Sequence, residues 1–231
     1  IYKKQKLDRE DVIDITDMDV VSWLKSEMRM MLEEEIARAM LVGDGRSPAS
    51  DDKVNEDRIR PIYTDNDLYS VKVRLEATDT TMQIIDNLIR ARKDYKGSGN
   101  PVFFSTPDII SDMLLLKDTT GRRLYNTIND LAAALRVTKI IEVPVMENLT
   151  RTLEDGTVMD LLGIIVNMTD YYLGADKGGQ ISMFDDFDID FNQYKYLIET
   201  RCSGALVLPH SALVVEQVSS GQPAPAPTPK P

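Results

Sequence analysis

The chain has 231 residues, enough for one large domain or two small ones with a real core, and its 42% hydrophobic and 28% charged residues are ordinary for a globular protein. A net charge of −11 argues against a protein that grips nucleic acid, because phosphate binding needs clustered Lys and Arg and an acidic surface repels the backbone. No apolar run approaches the roughly 18 residues of a membrane-spanning helix, and one cysteine, Cys202, excludes an internal disulfide framework or a multi-Cys zinc site.

Residues 1–15 read as an extended arm with charges between Tyr2, Leu7 and Val12-Ile13-Asp14-Ile15. The arm begins Ile1-Tyr2-Lys3-Lys4, with no signal-peptide pattern. Because the chain opens without Met and inside a strand-like run, its natural N-terminus is expected to lie further upstream. A long helix follows, spanning 17–42. Val20/Val21, Trp23/Leu24, Met28, Met31/Leu32, Ile36 and Met40 recur with the helical period and predict one buried face. Thr16 or Asp17 is the expected cap, with Asp19 in the first turn, and Gly43 provides the left-handed stop. At 1.5 Å per residue, about 26 residues make a rod of about 39 Å, more than twice the usual length of a globular helix.

Residues 44–60 read as a loop and 68–75 as a strand. A second helix is predicted over 79–95, capped by Thr78, with Met82, Ile85, Leu88 and Ile89 inward. After the Gly97–Pro101 break, Val102-Phe103-Phe104 is a short buried strand. Thr106-Pro107-Asp108 opens a helix to about Lys117 with a cap, a first-turn proline and an acid. A further helix covers 129–135. The remainder is mostly β: strands at 140–145, 163–169, 181–184, a long one over 189–202, and 211–216. Residues 217–231 hold five of the eleven prolines and read as a disordered, Pro-rich tail.

Few residues suggest chemistry. Alternation along Asp185–Asp190 would place Asp186, Asp188 and Asp190 on one strand face, where clustered carboxylates suit a hard divalent ion. The spacing is not that of an EF-hand, and the acids read first as the wet face of a half-buried strand. Gly174–Gly179 lacks the phosphate-loop spacing, and Gly43-Asp44-Gly45 follows its helix instead of preceding one. His210, the single histidine, reads as a surface or packing residue. Cys202 reads as a small buried hydrophobe, and Met28, Met30, Met31 and Met40 as adaptable packing. Trp23 is the expected anchor between the helix and a sheet. No catalytic, cofactor-binding or metal-binding residue is assigned.

Four stretches, in order and spacing, resemble the major capsid proteins of tailed bacteriophages, with the Hong Kong 97-type shell fold. Met28–Ala39 through Gly43-Asp44-Gly45-Arg46 resembles the end of that family's spine helix and its glycine stop. Met113–Tyr125 resembles the helix and turn of its axial domain. Tyr171–Gly179 through Asp185–Asp190 resembles its late β segment, and Tyr194–Leu206 the final long strand returning to the spine. Together they span most of residues 17–216.

The resemblance implies an α+β, Hong Kong 97-like capsid fold: a long spine helix, a peripheral-domain β-sheet and an inserted axial α/β domain. On this basis 1–16 end an extended loop, 17–98 and 199–216 form the peripheral domain, 99–198 the axial domain, and 217–231 the tail. It implies a structural subunit, not an enzyme, that assembles with copies of itself into pentamers and hexamers of an icosahedral shell enclosing DNA. The implied setting is a virion capsid assembled in a host bacterial cytoplasm, with a scaffold, maturation protease and portal as further partners, no cofactor, no membrane and no specific nucleic-acid binding. No Lys–Asn pair matches the cross-link of some members. Two alternatives stay open: an encapsulin-like shell protein of a non-viral compartment, and a metal-dependent hydrolase using Asp185–Asp190.

Overall fold

The computed structural model describes residues 1–10, 19–47, 49–175 and 181–219. The expected caps Thr16 and Asp17, most of Gly174–Gly179 and nearly all of the Pro-rich tail lie outside them. The chain divides into two compact units, 1–61 with 172–205, and 62–171 with 206–231. This differs from the division drawn from the resemblance: residues 62–98 belong with 99–171, and residues 172–198 belong with the long helix.

In the first unit, β1 (Tyr2–Asp8), β8 (Ser182–Asp188) and β9 (Gln193–Glu199) form an antiparallel sheet in the order β1-β9-β8. Helix α1 (Val20–Leu41) packs on it. Its 22 residues make a rod of about 33 Å. Asp19 is the N-cap, accepting from the Ser22 amide at 3.0 Å, so it sits before the first turn and not inside it. Gly43 takes φ +88°, and its amide returns to the Arg38 carbonyl at 3.1 Å. The inner stripe is Met28 and Leu32 against Tyr196 and Ile198, with Val21, Leu24 and Ile36 at its margins. β9 is therefore the strand that meets the helix.

The expected strand over 189–202 is three elements. Residues 189–192 turn, with Asn192 at φ +53°, β9 runs to Glu199, and β10 (Cys202–Leu206) pairs instead with β7 (Tyr171–Ala175). Tyr, Phe and Ile content supports extended backbone throughout but does not mark where a strand changes partner.

The second unit is built on a mixed sheet ordered β2-β11-β6-β3-β4, with β5 (Thr150–Thr152) added on β6. β2 is Ser70–Leu75, β3 Val102–Ser105, β4 Lys139–Glu142, β6 Val158–Val166 and β11 Ala212–Val218. β11 runs parallel to β2 and antiparallel to β6, so the last strand lies in the centre of this sheet and not with the long helix. β11, like β6, is a nearly continuous buried apolar run, as a strand covered on both faces requires.

Helices α2 (Thr81–Ala91), α3 (Pro107–Leu114) and α4 (Ile128–Ala134) bury Ile85, Leu88, Met113 and Leu131 with Phe103, Ile165, Leu213 and Val215. Thr80, not Thr78, caps α2 in a reciprocal box with Gln83, and Thr106 caps α3 ahead of Pro107. Gly163 lets Phe103 lie flat on β6. A Cβ there would stand 2.8 Å from the ring's Cζ and 2.9 Å from the Phe104 carbonyl oxygen.

Candidate functional surfaces

The sheet register disperses the acids of Asp185–Asp190. Asp186 and Asp188 share a face, opposite Lys195 and Gln193, while Asp190 falls in the turn beyond the strand. Asp185 faces the other way, opposite Tyr196, 3.6 Å from Lys25 Nζ. Asp188 is ion-paired with Lys195, which hydrogen-bonds it and holds its carboxyl below the usual carboxylate range. Among the described residues no three His, Cys, Asp or Glu side chains converge to hold a metal ion.

The remaining candidates have structural jobs. His210 sits at φ +56° in a turn, its amide donating to the Leu68 carbonyl and its own carbonyl accepting from the Lys96 amide, each at 2.8 Å. Cys202 is half-buried at the start of β10, and burial pushes its thiol up. Met28 is core, whereas Met30 and Met31 point outward. Gly43-Asp44-Gly45 is a terminator followed by a staple. The Asp44 carboxylate accepts from the amides of Val54 and Arg46 at 2.7 and 3.1 Å and from Lys53 Nζ at 3.2 Å. Burial alone would raise its carboxyl, but these donors outweigh it and the net shift is downward. Nothing in local pattern singled out Asp44, because its partners lie as far as ten residues on.

In the second unit two buried acids were also invisible to sequence reading. Asp170 accepts from the Ser98 amide at 2.7 Å and from the Ser98 hydroxyl, tying down the Gly97–Gly99 turn. Glu216 is fully buried on β11 and accepts from Arg151 at 2.7 Å.

The first unit also exposes large apolar side chains. Trp23 is 52% exposed, correcting its expected place as a core anchor, and Met30 is 53% exposed two turns further along the same face. The open face of the helix therefore carries large apolar side chains among charged ones such as Arg29 and Glu33. The β8–β9 turn carries Ile189 and Phe191, 83% and 69% exposed. Scattered apolar residues are normal on a surface. A helix face and a hairpin turn that both present large ones are the pattern of a contact region.

A groove of about 580 Å³ lies between β1, the 46–59 loop and the start of β10. Six Lys or Arg and three Asp or Glu line it, the reverse of the chain's overall balance.

Residues 9–217 match a family model described as the phage capsid family. No curated protein shows significant sequence similarity to the chain. Solved structures resemble it in fold. The capsid of an empty GTA particle computed with C5 symmetry superposes with a TM-score of 0.64 at 13% identity, over 95% of this chain and 72% of that one. A chain from Mycobacterium phage Ogopogo gives 0.63 at 11% identity, over 94% and 75%. The virus-like particle from Pyrococcus furiosus gives 0.59 at 13% identity, over 93% and 75%.

Proposed function

The chain belongs to the phage capsid family, and from that premise we propose that it is a structural subunit of an icosahedral phage shell, built by self-assembly into pentamers and hexamers around the genome. The observation that carries this reading is the extent of the family match: it takes in both compact units, from the end of β1 to β11. The fold is of the Hong Kong 97 type. On this reading α1 is the spine, the unit containing it the peripheral domain, and the mixed-sheet unit the axial domain. β1 is then the returning strand of the extended loop.

The chemistry agrees with a wall, not a catalyst. Asp185 and Asp188 are paired with lysines, and large apolar side chains are exposed on a helix face and a turn. A net charge of −11 suits a surface that encloses DNA without gripping it. Assembly in a host bacterial cytoplasm, with a scaffold, a maturation protease and a portal, completes the proposal.

Electron microscopy of the purified full chain tests it. Rings or closed shells are expected, and a chain that stays monomeric at every concentration overturns it. The compartment alternative is separated by content, since shells recovered from cells enclose DNA in one case and protein in the other.

A further inference from the structure

The groove of the first unit has apolar and cationic parts. Ile1, Tyr2, Val54 and Ile59 contribute apolar surface. Of the cations, Lys3 and Arg46 are held by Glu35 at 3.4 and 2.8 Å, and Lys53 by Asp44 and Glu56 at 3.2 and 2.7 Å. Lys4, Arg58 and Arg201 are exposed and form no ion pair with any described residue. Asp51 and Asp52 are exposed on the same walls and offset part of that charge, so the groove's attraction for an acidic segment is what the three cations leave over.

The complementary feature is at the other end of the same sheet. The β8–β9 turn presents Ile189 and Phe191, flanked by Asp186 and Asp190, neither of which is ion-paired with a described residue. The register measures the separation. Tyr2 lies opposite Glu199 at the groove end, and Asp8 opposite Gln193 at the turn end, six residues along. At about 3.4 Å per residue the two features are roughly 20 Å apart on one rigid sheet, so one copy cannot seat its own turn in its own groove. A second copy can.

We infer that the groove of one copy receives the β8–β9 turn of a neighbouring copy, with Ile189 and Phe191 on the apolar surface and Asp186 and Asp190 against Lys4, Arg58 and Arg201. The contact joins different patches, so it is heterologous, the kind that closes into rings when the rotation between neighbours is a simple fraction of a circle. It rests on the shell-subunit reading and names one contact within it.

The test is analytical ultracentrifugation of the full chain and of two charge-reversed variants, Arg58→Glu/Arg201→Glu and Asp186→Lys/Asp190→Lys. Each variant alone is expected to associate at least tenfold more weakly than the wild type. An equimolar mixture of the two is expected to recover, because each reversed patch then meets its complement. Added salt is expected to weaken the wild type. Association of the groove variant at wild-type strength overturns this contact while leaving the shell reading standing. A wild type that never associates overturns both.

Oxidation of D190C gives a second readout independent of charge. With Cys202 in the groove, head-to-tail linkage is expected to yield a ladder of trimers and higher species, whereas D190C/C202S stops at dimers. Dimers alone from D190C also count against the contact. Single-stranded DNA binding that the groove variant loses while its self-association persists assigns the groove to a phosphate backbone and overturns the proposal.

Discussion

Arg151 on β5 and Glu216 on β11 form an ion pair of 2.7 Å across β6, and the carboxylate has no exposure to solvent. Glu216 sits at a break in the β11–β6 register that falls between Val215 and Glu216, which places an acid directly after the apolar run Ala212–Val215. Removing one partner of such a pair leaves a buried charge without compensation. Arg151→Ala is expected to destabilise the chain by about 3 kcal/mol. Replacing both partners with apolar residues of similar volume is expected to recover most of that loss. Denaturant unfolding of the single and double variants checks both outcomes.

Gly163→Ala is expected to destabilise by about 1–3 kcal/mol through overpacking. The added methyl would overlap the Phe103 ring and press on the Phe104 carbonyl. Gly163→Ala combined with Phe103→Leu is expected to lose less than the sum of the two single changes, since each relieves the other's clash or cavity. Thermal unfolding of the three variants measures the coupling.

Lys72 predicts an alkaline signature. Its Nζ donates to the Tyr63 carbonyl at 2.6 Å and to Ser70 Oγ at 3.1 Å. Burial, reinforced by nearby Arg151, pushes its ammonium down to about 8 from an ordinary 10.5. Below pH 8 both states hold the proton, and the buried charge costs stability. From pH 8 to about 10.5 the unfolded chain binds more protons than the folded one, so this group makes stability rise with pH. Burial holds the Tyr63 hydroxyl neutral beyond its ordinary range, so above pH 10 that group pulls stability down. The difference between wild type and Lys72→Met isolates the lysine. It is expected to shift in favour of wild type between pH 8 and 10.5 in chemical denaturation, and a difference that stays flat contradicts the assignment.

Trp23 is the chain's single tryptophan and half its surface is open to water in the isolated subunit. Assembly that covers the open face of α1 is expected to shift its emission to the blue. Emission that stays at the solvent-exposed wavelength in particles seen by microscopy would place that face at the shell surface.

The parts of the fold legible in sequence are those set by local rules. The long helix and its Gly43 stop, the Thr106-Pro107 helix start and the inward Ile85, Leu88 and Met113 follow from period, cap and backbone freedom and hold, whereas Met82, expected inward on α2, is exposed. Trp23 was misplaced because a residue's hydrophobicity says that it prefers cover, not which partner supplies it. Asp44, Asp170 and Glu216 were not found because each is defined by donors reached only through the folded chain.

The sequence by itself determined the acidic balance and much of the order of helix and strand, which depend on composition and short-range periodicity, and four of its stretches carried the resemblance to the family. Tertiary structure alone decided which strand meets which. β9 packs under the helix, β10 pairs with β7, and β11 takes the centre of the mixed sheet, and nothing in their own residues assigns those partners. Strand partnership is a matter of long-range hydrogen bonding and buried area, and neither is written within a strand's own few residues.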